Sequence, residues 1–372
     1  MKKIGKEVHL IPSTDGNLRN GEGAFLRLKD GRILYAYTKY YGEGWDDHDP
    51  SYIAACYSSD EGETWTQSEI FYEKPEDAMN IMSASLLRME NGDLGLIYLQ
   101  KTRLGDRILC NPYLVRSSDE GKTFGDPLPM IEEPSYYVFV NDRILRTQSG
   151  RIIFAVADHF AGKSGRPGII KTYYSDDDGR SFKKSPGEVH PPYNDSLGLT
   201  EPGIYELAGG KLWLYARTGY GYQYQSFSED GGLTWSEAKP NHNLTSSSSP
   251  MIVLKAKDCA IAVLNPIPWA GTFAIAKEWL PHKDRTPFVL IADPTGGEAL
   301  VKQDFSNDRV GDFMPYVRHC YYLEDDRTET YCYPSLIEVE DGLLAAYYYS
   351  DGTGKELASA RIKKILWEEL SL

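Results

Sequence analysis

Arg217 places a positive charge inside a segment of otherwise apolar residues. It interrupts Leu214-Tyr-Ala-Arg-Thr. Charged side chains are seldom buried without a partner, so Arg217 needs a carboxylate or a ligand beside it. Glu201 lies sixteen residues earlier in the chain. We expect either Glu201 or a ligand to supply that partner.

A second polar group, Asp46-Asp-His-Asp49, lies within the long segment Tyr40–Pro50. Its carboxylates and imidazole could form a cation site or simply a solvated loop. The spacing carries too little information to name a metal. Function concentrates in long loops, and two more occur, at Ala161–Pro167 and at Pro266–Arg285, which contains His282.

The elements that would position these residues are repeats. Four segments share the order Ser-x-Asp-x-Gly-x-Thr/Ser-Trp/Phe and begin 59, 58 and 53 residues apart: Ser58–Trp65, Ser117–Phe124, Ser175–Phe182 and Ser228–Trp235. An aspartate in a short turn can bind nearby backbone N–H groups, and glycine supplies the positive φ that a tight turn needs. We therefore predict structural rather than catalytic roles for four aspartates: Asp60, Asp119, Asp177 and Asp230.

A second repeat alternates with these turns. It consists of an apolar segment, a turn such as Asp30-Gly31 or Asn91-Gly92, and another apolar segment. Such dipeptides between β-rich segments are strong hairpin signals. Six hairpins, the first four followed by an aspartate turn, supply about four strands per repeat. The sequence predicts an all-β fold, a six-bladed β-propeller of four-stranded antiparallel blades in one domain over residues 1–372. A strand from Glu7–Pro12 should close the ring.

Charge and cysteine usage narrow the class of protein. The 372 residues carry a net charge of −14 without a basic segment, so nucleic acid and anionic membranes are poor partners. The five cysteines are odd in number and lack metal-type spacing, which is typical of reduced thiols. No signal peptide is visible, which favours a cytoplasmic protein unless a signal has been removed. We predict no cofactor and no bound metal.

The four aspartate turns resemble the Asp-boxes of the sialidase (neuraminidase) superfamily, and the likeness extends over nearly the whole chain. It is strongest toward bacterial sialidase-like proteins with BNR repeats. The catalytic domain of sialidases is a six-bladed propeller, and their Asp-boxes lie on its rim, away from the catalytic centre. The resemblance therefore implies the fold, whereas the activity has to be argued from the site.

The resemblance also implies catalytic residues. Asp49-Pro-Ser-Tyr-Ile is similar to the segment that carries the acid/base aspartate of sialidases, with Asp46 and Asp47 as rivals to Asp49. Glu201-Pro, followed by Arg217, matches the glutamate that activates the nucleophile and an arginine that binds the substrate carboxylate. The remaining matches are the nucleophile, in Tyr333-Pro-Ser-Leu, and a further binding arginine, Arg285.

Elementary chemistry agrees with these roles. A phenol with a pKa near ~10 is a poor nucleophile unless a carboxylate takes its proton, and Glu201 would do so for Tyr333. A neutral nucleophile suits an anomeric centre that bears a carboxylate, and sialidases are a known exception to the two-carboxylate rule. An arginine binds a planar carboxylate in bidentate fashion.

The segment Arg19–Phe25 departs from the sialidase pattern. Sialidases have an Arg-Ile-Pro motif here, whose arginine completes a carboxylate-binding triad. This chain lacks the motif, and Glu22 falls near where that arginine should point. Arg19 replaces the arginine only if the strand register differs. Further polar residues open or end blades and are predicted to face the central funnel as substrate-binding groups: Asp142, Arg143 and His159.

These residues indicate a glycoside hydrolase that acts on the terminal sugar of a glycan, acidic sugars included. Asp49 would protonate the leaving oxygen and Tyr333 would attack with retention. If Glu22 or Asp142 pairs with another carboxylate instead, their separation decides between retention and inversion.

Two other functions stay open at this point. One is a non-catalytic carbohydrate-binding propeller, and the other is a sugar lyase with His159 or Tyr333 as base. Titratable residues with shifted pKa values at the floor of a pocket would favour an enzyme over a binding module.

Overall fold

The computed structural model describes residues 1–160, 167–193, 197–267, 285–302, 319–350, 352 and 357–371. The predicted loop at Ala161–Pro167, apart from its last residue, lies outside the described residues. So does most of the predicted loop at Pro266–Arg285, including His282.

Six sheets, antiparallel apart from one added strand, form the six blades of a β-propeller, which confirms the predicted fold class. Two strands come before those of blade 1 in the chain, β1 (Lys2–Lys3) and β2 (Lys6–Ile11), and they join the last two blades. Blade 1 contains β3 (Asn20–Arg27), β4 (Ile33–Tyr40), β5 (Ser51–Ser58) and β6 (Glu69–Tyr72). Blade 2 contains β7 (Asn80–Arg88), β8 (Leu94–Leu104), β9 (Arg107–Ser117) and β10 (Leu128–Pro129). Blade 3 contains β11 (Tyr137–Val138), β12 (Leu145–Arg146), β13 (Ile152–Asp158), β14 (Ile169–Ser175) and β15 (Lys183–Val189).

The other three blades follow in chain order. Blade 4 contains β16 (Thr200–Glu206), β17 (Leu212–Arg217), β18 (Tyr222–Ser228) and β19 (Lys239–Thr245). Blade 5 contains β20 (Ile252–Ala256), β21 (Cys259–Leu264), β22 (Phe288–Asp293) and β23 (Cys320–Glu324). Blade 6 contains β24 (Tyr331–Val339), β25 (Gly342–Tyr349) and β26 (Ser359–Leu366). The described helices are single turns: α1 (Glu298–Val301) and two 3₁₀ segments, Ala208–Gly210 and Trp367–Leu370.

The two ends of the chain close the ring. Strand β2 pairs antiparallel with β26 and becomes the fourth strand of blade 6, as predicted for Glu7–Pro12. Two details differ from uniform four-stranded blades. Strand β1 adds a fifth, parallel strand to blade 5 through β23. In blade 3 the inner strand is divided, and β11 and β12 pair separately with β13.

The core lies between the blades. The described residues form six hydrophobic clusters, and each occupies the interface between two neighbouring blades. Central strands such as β13 and β21 are buried along their whole length because both faces of a blade contact neighbours. Their continuous runs of Ile, Val, Leu and Ala follow from this two-sided burial. No helix among the described residues is long and apolar enough to cross a membrane.

The four aspartate turns have one geometry, at the connection between the third and fourth strands. In the first, Asp60 accepts hydrogen bonds from the Thr64 backbone N–H at 2.9 Å and from Ser58 Oγ at 2.8 Å. Gly62 has φ +86° and its N–H donates to Ser58 Oγ at 2.8 Å. The same bonds recur at Asp119, Asp177 and Asp230. These aspartates therefore build turns, as predicted.

Candidate functional site

The inner strands carry a repeated bulge near the propeller axis. The register shifts by one residue after Gly21, Met82, Thr200 and Cys332 in blades 1, 2, 4 and 6. The residue at the apex of each bulge has a positive φ, and Asp142 has the same conformation in blade 3: Glu22 +51°, Ser83 +59°, Asp142 +56°, Glu201 +47° and Tyr333 +55°. Such strain is uncommon for residues other than glycine and clusters at functional sites.

Blade 5 breaks this pattern. Val339 in blade 6 and Ala256 in blade 5 are the last paired residues before the hairpin turn. Tyr333 lies six residues before Val339, and the residue six before Ala256 is Pro250, which is therefore the equivalent position in blade 5. The proline ring holds φ near about −65°, so the apex conformation is not accessible there. The five polar apices thus surround the axis on the other five blades.

Tyr333 of blade 6 meets Glu201 and Arg217 of blade 4 at the axis, although the two blades are far apart in sequence. Tyr333 Oη donates a hydrogen bond to Glu201 Oε1 at 2.7 Å. Arg217 Nη1 donates to both oxygens of Glu201 at 2.7 and 2.8 Å, and its Nε donates to Ser248 Oγ at 3.1 Å. The expected partner of Arg217 is therefore Glu201.

The phenol of Tyr333 is held in its neutral form. Burial raises its pKa well above the usual value, and the carboxylate of Glu201 adds to that effect. Arg217 and Arg285 act in the opposite direction without reversing it. The guanidinium carbon of Arg285 lies 5.7 Å from the centroid of the Tyr333 ring. A neutral phenol with a carboxylate on its proton is arranged to transfer that proton as the oxygen attacks.

A second carboxylate cluster lies across the axis, around Glu22. Arg19 Nη2 donates to Glu22 Oε1 at 2.8 Å, and Arg19 Nη1 donates to Asp47 Oδ1 at 2.5 Å. Ser83 Oγ lies 2.5 Å from Glu22 Oε2. The remaining Nε–H of Arg19 donates to Tyr348 Oη at 2.9 Å. Arg19 is thus committed to two protein carboxylates and a phenol.

These two carboxylates differ in proton affinity. Burial raises the pKa of Glu22, and the nearby charge of Asp47 raises it further, whereas Arg19 and Ser83 lower it in part. Partial burial would raise the pKa of Asp47, but Arg19 and Lys101 outweigh it and lower the value to about 2. The side chain of Asp47 is 55% exposed and that of Glu22 only 2%.

The loop that carries the acidic cluster is fixed by its backbone. Asn80 Nδ2 and Lys101 Nζ both donate to the carbonyl oxygen of Asp47, at 2.7 and 2.6 Å. The carboxylate of Asp49 turns back into the loop, where it accepts the backbone N–H of Asp46 at 2.6 Å. Of the aspartates considered for the acid/base role, the structure brings Asp47 rather than Asp49 to the axis.

The two clusters share one cleft with an empty volume of about 390 Å³, part of it open to solvent. Its polar lining includes residues from both sides of the axis, among them Glu22, Asp47, Ser83, Lys101, Glu201 and Tyr333. The part of the chain that the structure describes contains no group of three His, Cys, Asp or Glu side chains arranged to hold a metal ion.

Asp142 and Arg143 were predicted as substrate-binding groups, but they bond other blades and do not line the cleft that contains Tyr333. Asp142 Oδ2 accepts the backbone N–H of Leu336 in blade 6 at 3.2 Å, and Arg143 Nη2 donates to the carbonyl of Met251, beside blade 5, at 2.7 Å. The preceding Asn141 bonds the carbonyl of Gly23 in blade 1 at 2.8 Å. These contacts hold blade 3 to three other blades. Asp142 and Arg143 also line a separate cleft. Burial raises the pKa of Asp142 to about 6.

The remaining predicted side chain, His159, lies at the edge of the site. Its Nε2 lies 3.4 Å from Thr200 Oγ1, and Thr200 directly precedes Glu201. Burial lowers the pKa of His159, so a neutral imidazole is favoured. It does not line the cleft that contains Tyr333.

Ser83 and Lys101 are polar residues of the cleft that were not singled out from the sequence. Ser83 lies 61 residues after Glu22 and 59 before Asp142, so an alignment of the blade repeats at the bulge would have found it. Lys101 follows the apolar residues of β8, just as Arg217 ends the apolar residues of β17. The argument that a charge in an apolar strand needs a partner would therefore have identified Lys101 as well.

Comparison with known proteins agrees with this architecture. The family model described as a BNR repeat-like domain matches residues 48–346. No curated protein sequence matches the chain. A protein of unknown function from Dyadobacter fermentans has a similar structure, with 19% identity, a TM-score of 0.68 and coverage of 97% of this chain and 99% of that one.

Two further solved structures have the same fold. The intramolecular trans-sialidase from Ruminococcus gnavus is 16% identical with a TM-score of 0.67, and the alignment covers 98% of both chains. The NanB sialidase from Streptococcus pneumoniae is 14% identical with a TM-score of 0.67, and the alignment covers 98% of this chain and 71% of that one. At these identities the likeness establishes a shared fold.

Proposed function

The chain belongs to the BNR repeat-like domain family, and from that premise we propose that it is a sialidase-like glycoside hydrolase. It removes a terminal sugar from a glycan. The observation that carries the proposal is the contact of Tyr333 with Glu201, which Arg217 holds in place. Similar solved structures include a sialidase and an intramolecular trans-sialidase, which supports glycosyl chemistry on this scaffold.

Tyr333 acts as the nucleophile. Its Oη attacks the anomeric carbon while its proton passes to Glu201 Oε1, 2.7 Å away. The bond from that carbon to the leaving oxygen breaks, and the leaving oxygen takes a proton from an acid in the cleft. Water then attacks the glycosyl–tyrosine bond, and Tyr333 recovers its proton from Glu201. Two displacements at one carbon give net retention.

The arginines support this chemistry in two ways. Arg217 fixes both oxygens of Glu201, so the carboxylate is oriented before the substrate arrives. Arg217 and Arg285 also hold positive charge beside Tyr333, which stabilises a developing phenolate and favours an anionic group on the sugar.

The test is hydrolysis of a panel of aryl glycosides that includes an α-sialoside, neutral sugars and uronic acids. We expect the wild type to cleave at least one of them. Glu201→Gln should lower kcat by ~10²–10⁴-fold because it removes the proton acceptor of Tyr333. Thermal unfolding of both proteins checks that the variant is folded.

Each outcome has a definite meaning. Cleavage of the α-sialoside that Glu201→Gln loses would make the protein a sialidase. Cleavage of another glycoside, but not of the α-sialoside, would support a glycoside hydrolase with a different class of substrate. No cleavage anywhere in the panel would contradict the proposal and favour a carbohydrate-binding propeller, which a glycan array would then test.

A further inference from the structure

Hydrolysis by Tyr333 needs a second group, an acid that protonates the leaving oxygen. That acid has to line the cleft that contains Tyr333, because a proton is transferred only over hydrogen-bond distance. Among the described residues, three with carboxyl groups line the cleft: Glu22, Asp47 and Glu201. Asp49 is not among them, since its carboxylate is turned into its own loop.

Two of the three carboxyl groups are unsuited to the task. Glu201 already accepts the Tyr333 hydroxyl and two bonds from Arg217, and so receives a proton in the step in which the acid gives one away. Asp47 is more than half exposed and its pKa is lowered to about 2, so it stays ionised at any ordinary working pH.

Glu22 is arranged differently. It shares one guanidinium with Asp47, and two carboxylates on a single positive charge do not both ionise readily. The exposed member, Asp47, therefore holds the negative charge more readily, and burial gives Glu22 the higher pKa of the two. Environments that separate two carboxyl pKa values in this way are the usual mark of an acid and its ionised neighbour.

Ser83 fits both protonation states of Glu22. Its hydroxyl lies 2.5 Å from Oε2, and a hydroxyl can donate to a carboxylate or accept from a carboxylic acid. Oε1 is occupied by Arg19, so Oε2 is the oxygen that carries the proton. The charged groups facing Glu22 are Arg19 and Asp47, and Ser83 is the hydroxyl bonded to it. Three phenols on other strands also interact with Glu22, and burial raises the pKa of each: Tyr40, Tyr333 and Tyr348.

We infer that Glu22, positioned by Arg19 and Ser83, is the acid/base residue of the cleft, in the role that the sialidase resemblance implied for Asp49. The inference rests on the proposed hydrolase function and adds the residue that completes it. Glu22 gives its proton to the leaving oxygen as the glycosidic bond breaks. In the second half it takes a proton from the attacking water, so both carboxyl groups return to their starting states.

Leaving-group dependence tests this role. Glu22→Gln should keep kcat/KM within about tenfold for a dinitrophenyl glycoside, whose leaving group needs no proton. For an alkyl glycoside of the same sugar, kcat/KM should fall by ~10²–10⁴-fold. The ratio kcat/KM reports only the first displacement, and a residue with a merely structural role would lower both values equally.

Asp49→Asn is the matched control and should leave both substrates unaffected. An equal loss on both glycosides in Glu22→Gln, or a leaving-group-dependent loss in Asp49→Asn, would overturn the inference while the hydrolase function stands. A wild type that cleaves neither glycoside overturns the proposed function and with it the need for an acid.

One kinetic measurement remains decisive even if Glu22→Gln is unstable. Ser83→Ala removes a hydrogen bond that lowers the pKa of Glu22, so the basic limb of the kcat/KM profile should move to higher pH. An unmoved limb contradicts the inference. Where Glu22→Gln is folded, a second measurement needs no substrate. In an Asp142→Asn background, which removes the band of that carboxyl, the infrared carbonyl band of a protonated carboxyl should persist above the ordinary glutamate range and be absent once Glu22→Gln is added. Persistence of that band in the variant contradicts it too.

Discussion

The rim and the axis of this propeller use repetition in opposite ways. On the rim, four turns repeat both backbone and side chains, and Asp60 and Asp230 accept the same hydrogen bonds in the same order. At the axis, five inner strands repeat the backbone conformation but carry different side chains at the apex: Glu22, Ser83, Asp142, Glu201 and Tyr333.

The range of the contacts also differs. Each rim aspartate is satisfied within its own turn, by residues no more than four positions away. At the axis, Tyr333 reaches Glu201 across 132 residues and Ser83 reaches Glu22 across 61. Rim turns therefore form locally, whereas the axial site exists only after the ring has closed. Repeated residues specify the fold, and variable residues on a repeated backbone supply the chemistry.

The largest expected effect distinguishes two tyrosine–glutamate pairs that have the same hydrogen bond at different places in the fold. Tyr333 bonds Glu201 at the axis, and Tyr347 bonds Glu324 inside the blade core at the same 2.7 Å. Tyr333→Phe should lower kcat by ~10³-fold or more, because it removes the nucleophile. Tyr347→Phe should leave kcat unchanged and reduce the free energy of unfolding by about 1–3 kcal/mol.

Kinetics and thermal unfolding of both variants provide the measurement. If Tyr333→Phe is less stable but has a normal kcat, Tyr333 has a structural role like that of Tyr347 and is not the nucleophile.

A rim substitution should have the opposite profile. Asp230→Ala removes the acceptor for Ser228, Leu233 and Thr234. We expect the free energy of unfolding to fall by about 1–2 kcal/mol, since the turn is exposed and water replaces part of the loss. The ratio kcat/KM should stay within about twofold of wild type. Denaturant unfolding and kinetics on one cleaved glycoside check both values, and a selective loss of activity would make the rim part of the site.

The smallest expected effect concerns Asp142, the apex that holds blades together. Its pKa is raised to about 6 in the folded protein from 3.8, so the folded state binds the proton more tightly. Stability contributed by this group is present at low pH and is lost as the pH rises from about 4 to about 6.

Asp142→Asn should abolish that loss, because an amide cannot ionise, tolerates positive φ, and can still accept the N–H of Leu336. Relative to wild type, the variant should gain about 1 kcal/mol between pH 4 and pH 7, a value reduced by partial exposure. Thermal unfolding at the two pH values measures it. A gain at pH 4 as large as that at pH 7 would assign the effect to something other than ionisation.

The sequence predicted the features that depend on local periodicity. Turn residues such as Asp60 and Gly62, the hairpins, the six blades and the closing strand all follow from spacing and turn chemistry, and the structure confirms them. It also indicated that Arg217 needs a partner. That the partner is Glu201 follows from the fold, since the two face each other across the β16–β17 hairpin.

The rest could not be obtained from periodicity. Asp47 and Asp49 are two residues apart in an irregular loop, and only the bonds from Asn80 and Lys101 decide which carboxylate faces the axis. A bulge likewise changes the direction of a side chain without changing the hydrophobic pattern. For that reason the sequence did not show that Arg19 would be engaged by Glu22 and Asp47, or that Arg143 would bond the carbonyl of Met251.

The stereochemistry of hydrolysis tests the central claim most directly. Proton nuclear magnetic resonance can follow the first sugar anomer released from the glycoside that the panel shows to be cleaved. A covalent bond to Tyr333 requires two displacements, so the account predicts that the product has the same anomeric configuration as the substrate. Release of the inverted anomer would contradict it, because water would then attack directly and Tyr333 could not be the nucleophile.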